Sequence, residues 1–251
     1  MDAKYDTIGI NYSDFRKPDS RIENSIWKAL GSAGTVLNVG AGTGSYEPHD
    51  RCVTAIDPSA EMISQRKPGK TKVMQGYAEN LPFDDDHFDA SMAILTVHHW
   101  SDLSKGLSEM RRVSKGPVII LTHDPSKGGF WLDDYLPQCV ALNIEKGLPP
   151  LSAYEKLMGP VSVDVVPVPH DCSDGFFGAY WRRPVAYLDP SVRKAISCFW
   201  SADNVEMDGI KPALEKLDED LKSGVWEKKY GYLLDYDTLD LGYRLITSCK
   251  K

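Results

Sequence analysis

Three histidines are the residues of this chain best suited to proton transfer near neutral pH. His98 and His99 follow the apolar run Phe88–Leu95, and His123 follows the run Pro117–Thr122 and precedes Asp124. Neighbouring residues at a strand end point in different directions, so at most one of His98 and His99 can face a common site. A different chemistry is written further upstream. Thr35–Tyr46 reads T-V-L-N-V-G-A-G-T-G-S-Y, an apolar strand that runs into Gly40, Gly42 and Gly44. Without side chains in the way, such a turn lets a ligand approach main-chain N–H groups. Val53–Ile56 is a second apolar strand, and it closes on Asp57, where a carboxylate accepts hydrogen bonds from both hydroxyls of a ribose. The glycines fall as G-x-G-x-G rather than the G-x-G-x-x-G of dinucleotide sites.

Strands and helices must alternate to hold these residues. Helices are expected at Ile22–Leu30, at residues 59–66 and at residues 101–113, where Leu103, Leu107, Met110 and Val113 recur at helical spacing. Phe88–Leu95 and Pro117–Thr122 read as central parallel strands, with further strands at Val161–Val166 and Tyr243–Ser248. A helix at Ser152–Met158 and an amphipathic one at Pro212–Lys222 complete the pattern. The alternation implies an α/β, doubly wound, mostly parallel sheet with its ligand at the carboxyl ends of the strands.

The order of the glycine turn, Asp57, the segment Gly76–Phe83 and the strand ending in Thr96–Trp100 resembles the motif order of class I S-adenosylmethionine-dependent methyltransferases, in the ubiquinone/menaquinone-biosynthesis-like small-molecule group. That resemblance implies a seven-stranded Rossmann-like sheet whose last strand is antiparallel, with a largely helical lid inserted. It implies S-adenosylmethionine as cofactor and S-adenosylhomocysteine as product. By the same resemblance Gly40, Ala41, Gly42 and Gly44 form the cofactor loop, and Asp57 holds the ribose. Pro58 opens the next helix, which carries Met62 against the adenine, while Ala78 and Glu79 meet the edge of the base. Ala93, Leu95 and His98 line the path to the methionine part. The lead-in Y-D-T-I-G-I-N-Y-S-D-F-R, with Tyr5, Tyr12 and Arg16, resembles a segment that folds over the cofactor, and a guanidinium such as that of Arg16 suits the cofactor carboxylate. The chain departs from its relatives at Asn38, where many carry an acid that organises the loop or a water near the cofactor's amino group.

Methyl transfer from a sulfonium asks mainly for alignment and exclusion of water, with a base where the nucleophile carries a proton. His98, His99 and His123 are the candidate bases. Tyr12, Trp100, Trp181 and Arg182 are the candidate acceptor contacts, the last two from the cluster Tyr180–Arg183; Arg182 and Arg183 are equally able to hold the lid to the acidic body. The expected division is a cofactor-covering segment at 1–30, a cofactor-binding core at 31–128, a first lid insertion at 129–150, more core at 151–169, a second lid insertion at 170–240 and the last strand at 241–251.

With 251 residues the chain can bury a sizeable core. A formal net charge of −7 argues against tracking nucleic-acid phosphates. Five cysteines without C-x-x-C spacing argue against a metal site or a disulfide framework and for reduced, cytoplasmic thiols. No apolar stretch is long enough to span a bilayer, and no secretory signal is visible at the N-terminus. The expected partner is a small-molecule methyl acceptor, with the protein a monomer or homodimer. A tRNA-modifying methyltransferase, a nicotinamide-dependent oxidoreductase and a cofactor-binding protein without catalysis are the alternatives.

Overall fold

A computed structural model of the chain describes residues 16–128, 130–137, 139, 148–196, 199 and 210–248. Tyr5, Tyr12 and part of the first lid insertion lie outside the described residues.

The strands β1 (Thr35–Val39), β2 (Cys52–Asp57), β3 (Lys72–Gln75), β4 (Ala90–Ile94) and β5 (Val118–His123) are joined in parallel. With β6 (Val161–Val165) and β9 (Tyr243–Ser248) they form a seven-stranded sheet of order β3-β2-β1-β4-β5-β9-β6. β9 runs antiparallel between β5 and β6. The inner strands β1, β4 and β5 are buried on both faces, which explains their near-continuous apolar sequences.

Each face of the sheet has its own apolar cluster. On one, Leu37, Val39 and Ile120 meet Leu107, Met110 and Val113 of helix α3 (Leu103–Val113), with Tyr154 and Met158 of α5 (Leu151–Met158). On the other, Val36, Met92, Ile119 and Leu121 join Ile22 and Ile26 of α1 (Ser20–Ala29), and the cluster continues without a break into the inserted segments. There Trp131 of α4 (Trp131–Tyr135), Trp181, Tyr187, Leu217 of α6 (Ile210–Ser223) and Trp226 of α7 (Val225–Tyr230) are buried together. The second insertion begins and ends on one small ladder, β7 (Val168–Pro169) paired antiparallel with β8 (Thr238–Leu239). Among the described residues no helix is long and apolar enough to cross a membrane.

The expected alternation of strand and helix fails at two places, between β3 and β4 at residues 76–89 and between β1 and β2. Residues 40–51, which carry the chain from β1 to its parallel neighbour β2, contain no helix. A parallel connection this short is ordinarily made by one. Here the glycine turn runs directly into a loop whose side chains, Tyr46 and Glu47 among them, are tied to distant parts of the chain.

Candidate active site

The carboxyl ends of β1, β2 and β4 open on a cleft lined by Arg16, Asn38, Gly40, Ala41, Gly42, Tyr46, Asp57, Met62, Leu95, Thr96 and His99, among others. The glycine turn forms its floor. Gly40 has φ +69°, and a Cβ there would lie 2.2 Å from the Thr96 hydroxyl. At Gly42, φ is +50° and a Cβ would come within 3.2 Å of the Met62 methyl group. Both positions need the left-handed backbone and the missing side chain. The short helix α2 (Ala60–Ser64) presents Met62; its N-cap is Ser59, whose hydroxyl accepts from the Met62 amide at 3.1 Å.

Asp57 sits where β2 ends and braces the whole turn. One carboxylate oxygen accepts from the Gly42 amide at 2.7 Å and the other from the Ser59 amide at 2.9 Å. Three further amides of the turn are spent internally: those of Gly40 and Ala41 donate to the Ile56 carbonyl, and that of Gly44 to the Ala41 carbonyl. With no helix behind it to lend a dipole, the turn is a poor seat for a pyrophosphate. A neutral ribose and a zwitterionic amino-acid tail suit it. Asn38 carries a buried amide oxygen that has no partner among the described residues. The residues present therefore fit S-adenosylmethionine, which when bound supplies an activated methyl group.

The backbone is strained around this cleft. Among the described residues three non-glycine positions have positive φ: Tyr46 at 66°, Asp86 at 54° and Leu95 at 52°. The first and last line the cleft. Such conformations cost about 1–2 kcal/mol each and persist where the surroundings over-determine them. Leu95 is held by its amide on the Leu121 carbonyl at 2.8 Å. Tyr46 is pinned at both ends. Its carbonyl accepts from the Trp27 indole at 3.0 Å, and its hydroxyl donates at 2.8 Å to Asp174, a residue of the lid that is 0% exposed. Burial and the adjacent carboxylate push the Tyr46 phenol far above its ordinary pKa. The Arg16 guanidinium donates to the same carboxylate. Asp174 thus joins the segment before α1, the glycine loop and the lid.

The residues singled out from the sequence separate into two groups. Arg16, Gly40, Ala41, Gly42, Asp57, Met62, Leu95 and His99 reach the cleft; Gly44, Pro58, Ala78, Glu79, Ala93, His98 and His123 do not line it. Gly44 borders a second groove outside the turn, against Arg66. The Pro58 carbonyl accepts from Gln75, and the Ala78 and Ala93 side chains sit in the apolar cluster under α3. Glu79 caps the turn before α3, accepting from the Ser101 amide and hydroxyl and from the Asp102 amide. Burial raises the Glu79 carboxyl, but these hydrogen bonds outweigh it and hold the pKa below the usual range. His98 stands beside His99, ring centroids 3.9 Å apart, without reaching the cleft. His123 closes the β5 edge instead, with Nε2 2.9 Å from the Leu241 carbonyl. Burial lowers its pKa and favours the neutral ring.

One expectation about the acceptor is overturned. Trp181 is completely buried inside the lid, where its indole N–H donates to the Val168 and Pro169 carbonyls and its own carbonyl accepts from the Trp131 indole. It has no surface to offer a ligand. Trp100 packs on Gly106 of α3, in the cluster that holds Ala78. Arg182 donates to the Tyr236 carbonyl at 3.3 Å, within the lid.

A sheet of this order, with one reversed strand and a nucleoside-type cleft at its carboxyl edge, defines a Rossmann-like cofactor-binding protein. Comparison with known proteins narrows the class. The methyltransferase-domain profile matches residues 37–121. At 35% identity and a TM-score of 0.85, the fold superposes on a protein of Anabaena variabilis described as a methyltransferase from an antibiotic biosynthesis pathway, covering 93% of this chain and 98% of that one. A ubiquinone/menaquinone biosynthesis C-methyltransferase of Geobacter is 35% identical over 109 residues, 37% of this chain and 46% of that protein. A malonyl-[acyl-carrier protein] O-methyltransferase of Erwinia billingiae is 40% identical over 95 residues, 35% of this chain and 38% of that protein. The chain thus spans less than half the length of these curated relatives. The chain belongs to the class I S-adenosylmethionine-dependent methyltransferases.

Proposed function

We propose that this protein transfers the methyl group of S-adenosylmethionine to a small-molecule acceptor that enters over His99, between the carboxyl edge of β4 and the lid. The observation that carries the reading is the cleft itself. It offers Asp57 for a ribose and Met62 for an adenine, while the amides of Gly40, Ala41, Gly42 and Gly44 are already paired. A nicotinamide dinucleotide would find no free amide among Gly40, Ala41, Gly42 and Gly44 for its pyrophosphate.

A small acceptor is favoured over nucleic acid by the net charge of −7. The similarity to a ubiquinone/menaquinone biosynthesis C-methyltransferase and to a malonyl-[acyl-carrier protein] O-methyltransferase supports the same side. Of the three histidines, His99 is the candidate base, since it alone lines the cleft. Alignment and exclusion of water supply most of the rate, and the lid helices around Trp131 and Trp226 supply the exclusion. We place the protein in the cytoplasm, as a monomer or homodimer.

The test begins without an acceptor. Calorimetry with S-adenosylhomocysteine and with NAD should give binding of the first only; NAD binding alone would refute the proposal. Transfer of labelled methyl from S-adenosylmethionine is then followed across phenols, amines, thiols and carboxylates. A tRNA pool that takes up label while every small molecule fails would favour the nucleic-acid reading instead.

A further inference from the structure

Behind the glycine turn lies a groove of about 500 Å³ that is separate from the cofactor cleft, although Arg16, Thr43 and Ser45 line both. Gly44, at φ +91°, belongs to its wall; a Cβ there would lie 2.9 Å from the Arg66 guanidinium, so the missing side chain lets Arg66 pack against the turn. Four cationic side chains line the groove against one carboxylate, that of Glu47. Two of the four are spent. Arg16 donates to Asp174, and Arg66 donates to Glu47 at 2.6 Å and to the Gly42 carbonyl at 3.1 Å. Lys17 and Lys67 make no ion pair among the described residues.

With those pairs cancelled, the groove keeps two positive charges, in a chain whose formal net charge is −7. They come from separate segments, Lys17 from before α1 and Lys67 from the loop after α2. The second segment is basic throughout: residues 65–72 read Q-R-K-P-G-K-T-K, without an acid. A lysine on an exposed strand edge keeps other strands away, which accounts for Lys72 of β3. Lys17 and Lys67 lie on no strand. Two like charges that share one concavity repel each other, and an anion held by both removes that cost. Thr43 and Ser45 bring hydroxyls that can donate to its oxygens. Val73, 37% exposed, and Pro68 give an apolar wall for a carbon skeleton, and the volume is that of a small-molecule site. We propose that this groove is a second ligand site, which takes a small molecule bearing a phosphate or pyrophosphate group held by Lys17 and Lys67. Lysines seat the anion here, not the amides of the turn. Neither lysine lines the cofactor cleft, so both sites can be filled at once.

Inorganic pyrophosphate is the probe, titrated by calorimetry at constant ionic strength into protein saturated with S-adenosylhomocysteine. One pyrophosphate per chain should bind. Lys17→Gln and Lys67→Gln should each weaken it by about threefold, and together by about tenfold. S-adenosylhomocysteine should bind every variant within about twofold of the unaltered protein, which also shows that the variants fold. Lys72→Gln should leave pyrophosphate affinity unchanged. No pyrophosphate binding, equal binding by the double variant, or displacement of S-adenosylhomocysteine by pyrophosphate overturns the inference. So does an oligoglutamate peptide that binds through the same lysines more tightly than pyrophosphate, since the groove would then be a docking surface for an acidic protein. If pyrophosphate binds as expected and S-adenosylhomocysteine does not bind at all, the cofactor assignment falls and the second site stands.

Discussion

Replacing Asp174 tests whether the lid and the cofactor loop are one mechanical unit. The carboxylate is 0% exposed and receives both the Arg16 guanidinium and the Tyr46 hydroxyl. Removing one partner of a buried ion pair typically costs about 3–5 kcal/mol, because the survivor loses its countercharge in a desolvated place. Arg16 retains 12% side-chain exposure, so water can solvate it in part and the lower end applies. The Tyr46 hydroxyl also loses its acceptor, a loss of about 1 kcal/mol. Asp174→Ala should therefore lower stability by about 3–4 kcal/mol, or roughly 6–16 °C in melting temperature at this chain length. Asp174→Asn can satisfy only one of the two donors and should fall in between, and Tyr46→Phe should cost about 1 kcal/mol. Urea titrations with an unchanged slope measure all three. Because Arg16 and Tyr46 line the cleft, S-adenosylhomocysteine affinity should fall in parallel, by about tenfold for Asp174→Ala. Loss of less than 1 kcal/mol, with affinity unaltered, would refute the idea that this carboxylate couples the three segments.

Trp181→Ala should destabilise by about 3–5 kcal/mol, and Trp181→Phe by about 1–3 kcal/mol through the carbonyls it leaves bare; neither should change the cofactor Kd of the folded fraction, which calorimetry checks. Asp57→Ala should weaken S-adenosylmethionine by about 1–3 kcal/mol, and unchanged affinity in a folded variant would remove Asp57 from the site. Gly40→Ala, whose Cβ would lie 2.2 Å from the Thr96 hydroxyl, should cost at least about 2 kcal/mol from backbone strain and displacement of Thr96, read by the same titration. Burial raises the Asp19 carboxyl, but hydrogen bonds from Arg21 and Ser173 overcome this and hold its pKa down at about 2, against an ordinary 3.8. The folded state thus favours the charged form, and this stability is complete above pH 4 and lost as the pH falls through 2. Asp19→Asn should flatten the acid limb of a stability–pH curve in that window.

The strands were legible because a strand covered on both faces must be largely apolar, as Val118–Leu121 is and as Ala90–Ile94 is apart from Ser91, whose hydroxyl is paired with that of Ser114. Glycine turns followed by an acid announce a nucleoside site because few other purposes need both. What the sequence hid were facts of tertiary pairing. Asp174 lies 128 positions from Tyr46, and nothing in either local pattern links them. The run Tyr180–Arg183 looks like a recognition surface, since aromatic and basic residues serve both interfaces and buried, hydrogen-bonded cores. Trp181 took the second role because β7 offers two carbonyls to its indole. Glu79 reads as a ligand contact, yet a carboxylate beside Ser101 and Asp102 serves equally as a helix cap. The helix-free passage from β1 to β2 could have been suspected: residues 40–51 leave little length for a helix once the glycine turn is subtracted.

The position of β9 in the sheet bears on how the protein is made. β5 and β6 are held apart and joined by β9, with His123 pairing across to Tyr243 and Val165 to Arg244. While a ribosome is still synthesising the lid, β5 is an apolar strand with one edge unpaired, and β6 has no neighbour at all. An open edge of that kind recruits other chains, and the hazard lasts until Tyr243–Ser248 has emerged. At a typical elongation rate of about 5–20 residues per second, the interval from His123 to Tyr243 is roughly 6–24 seconds. Growth temperature and chaperone supply should therefore govern the soluble yield more than the stability of the finished fold does, and a message truncated ahead of Tyr243 should give insoluble protein even though every cleft-lining residue is present.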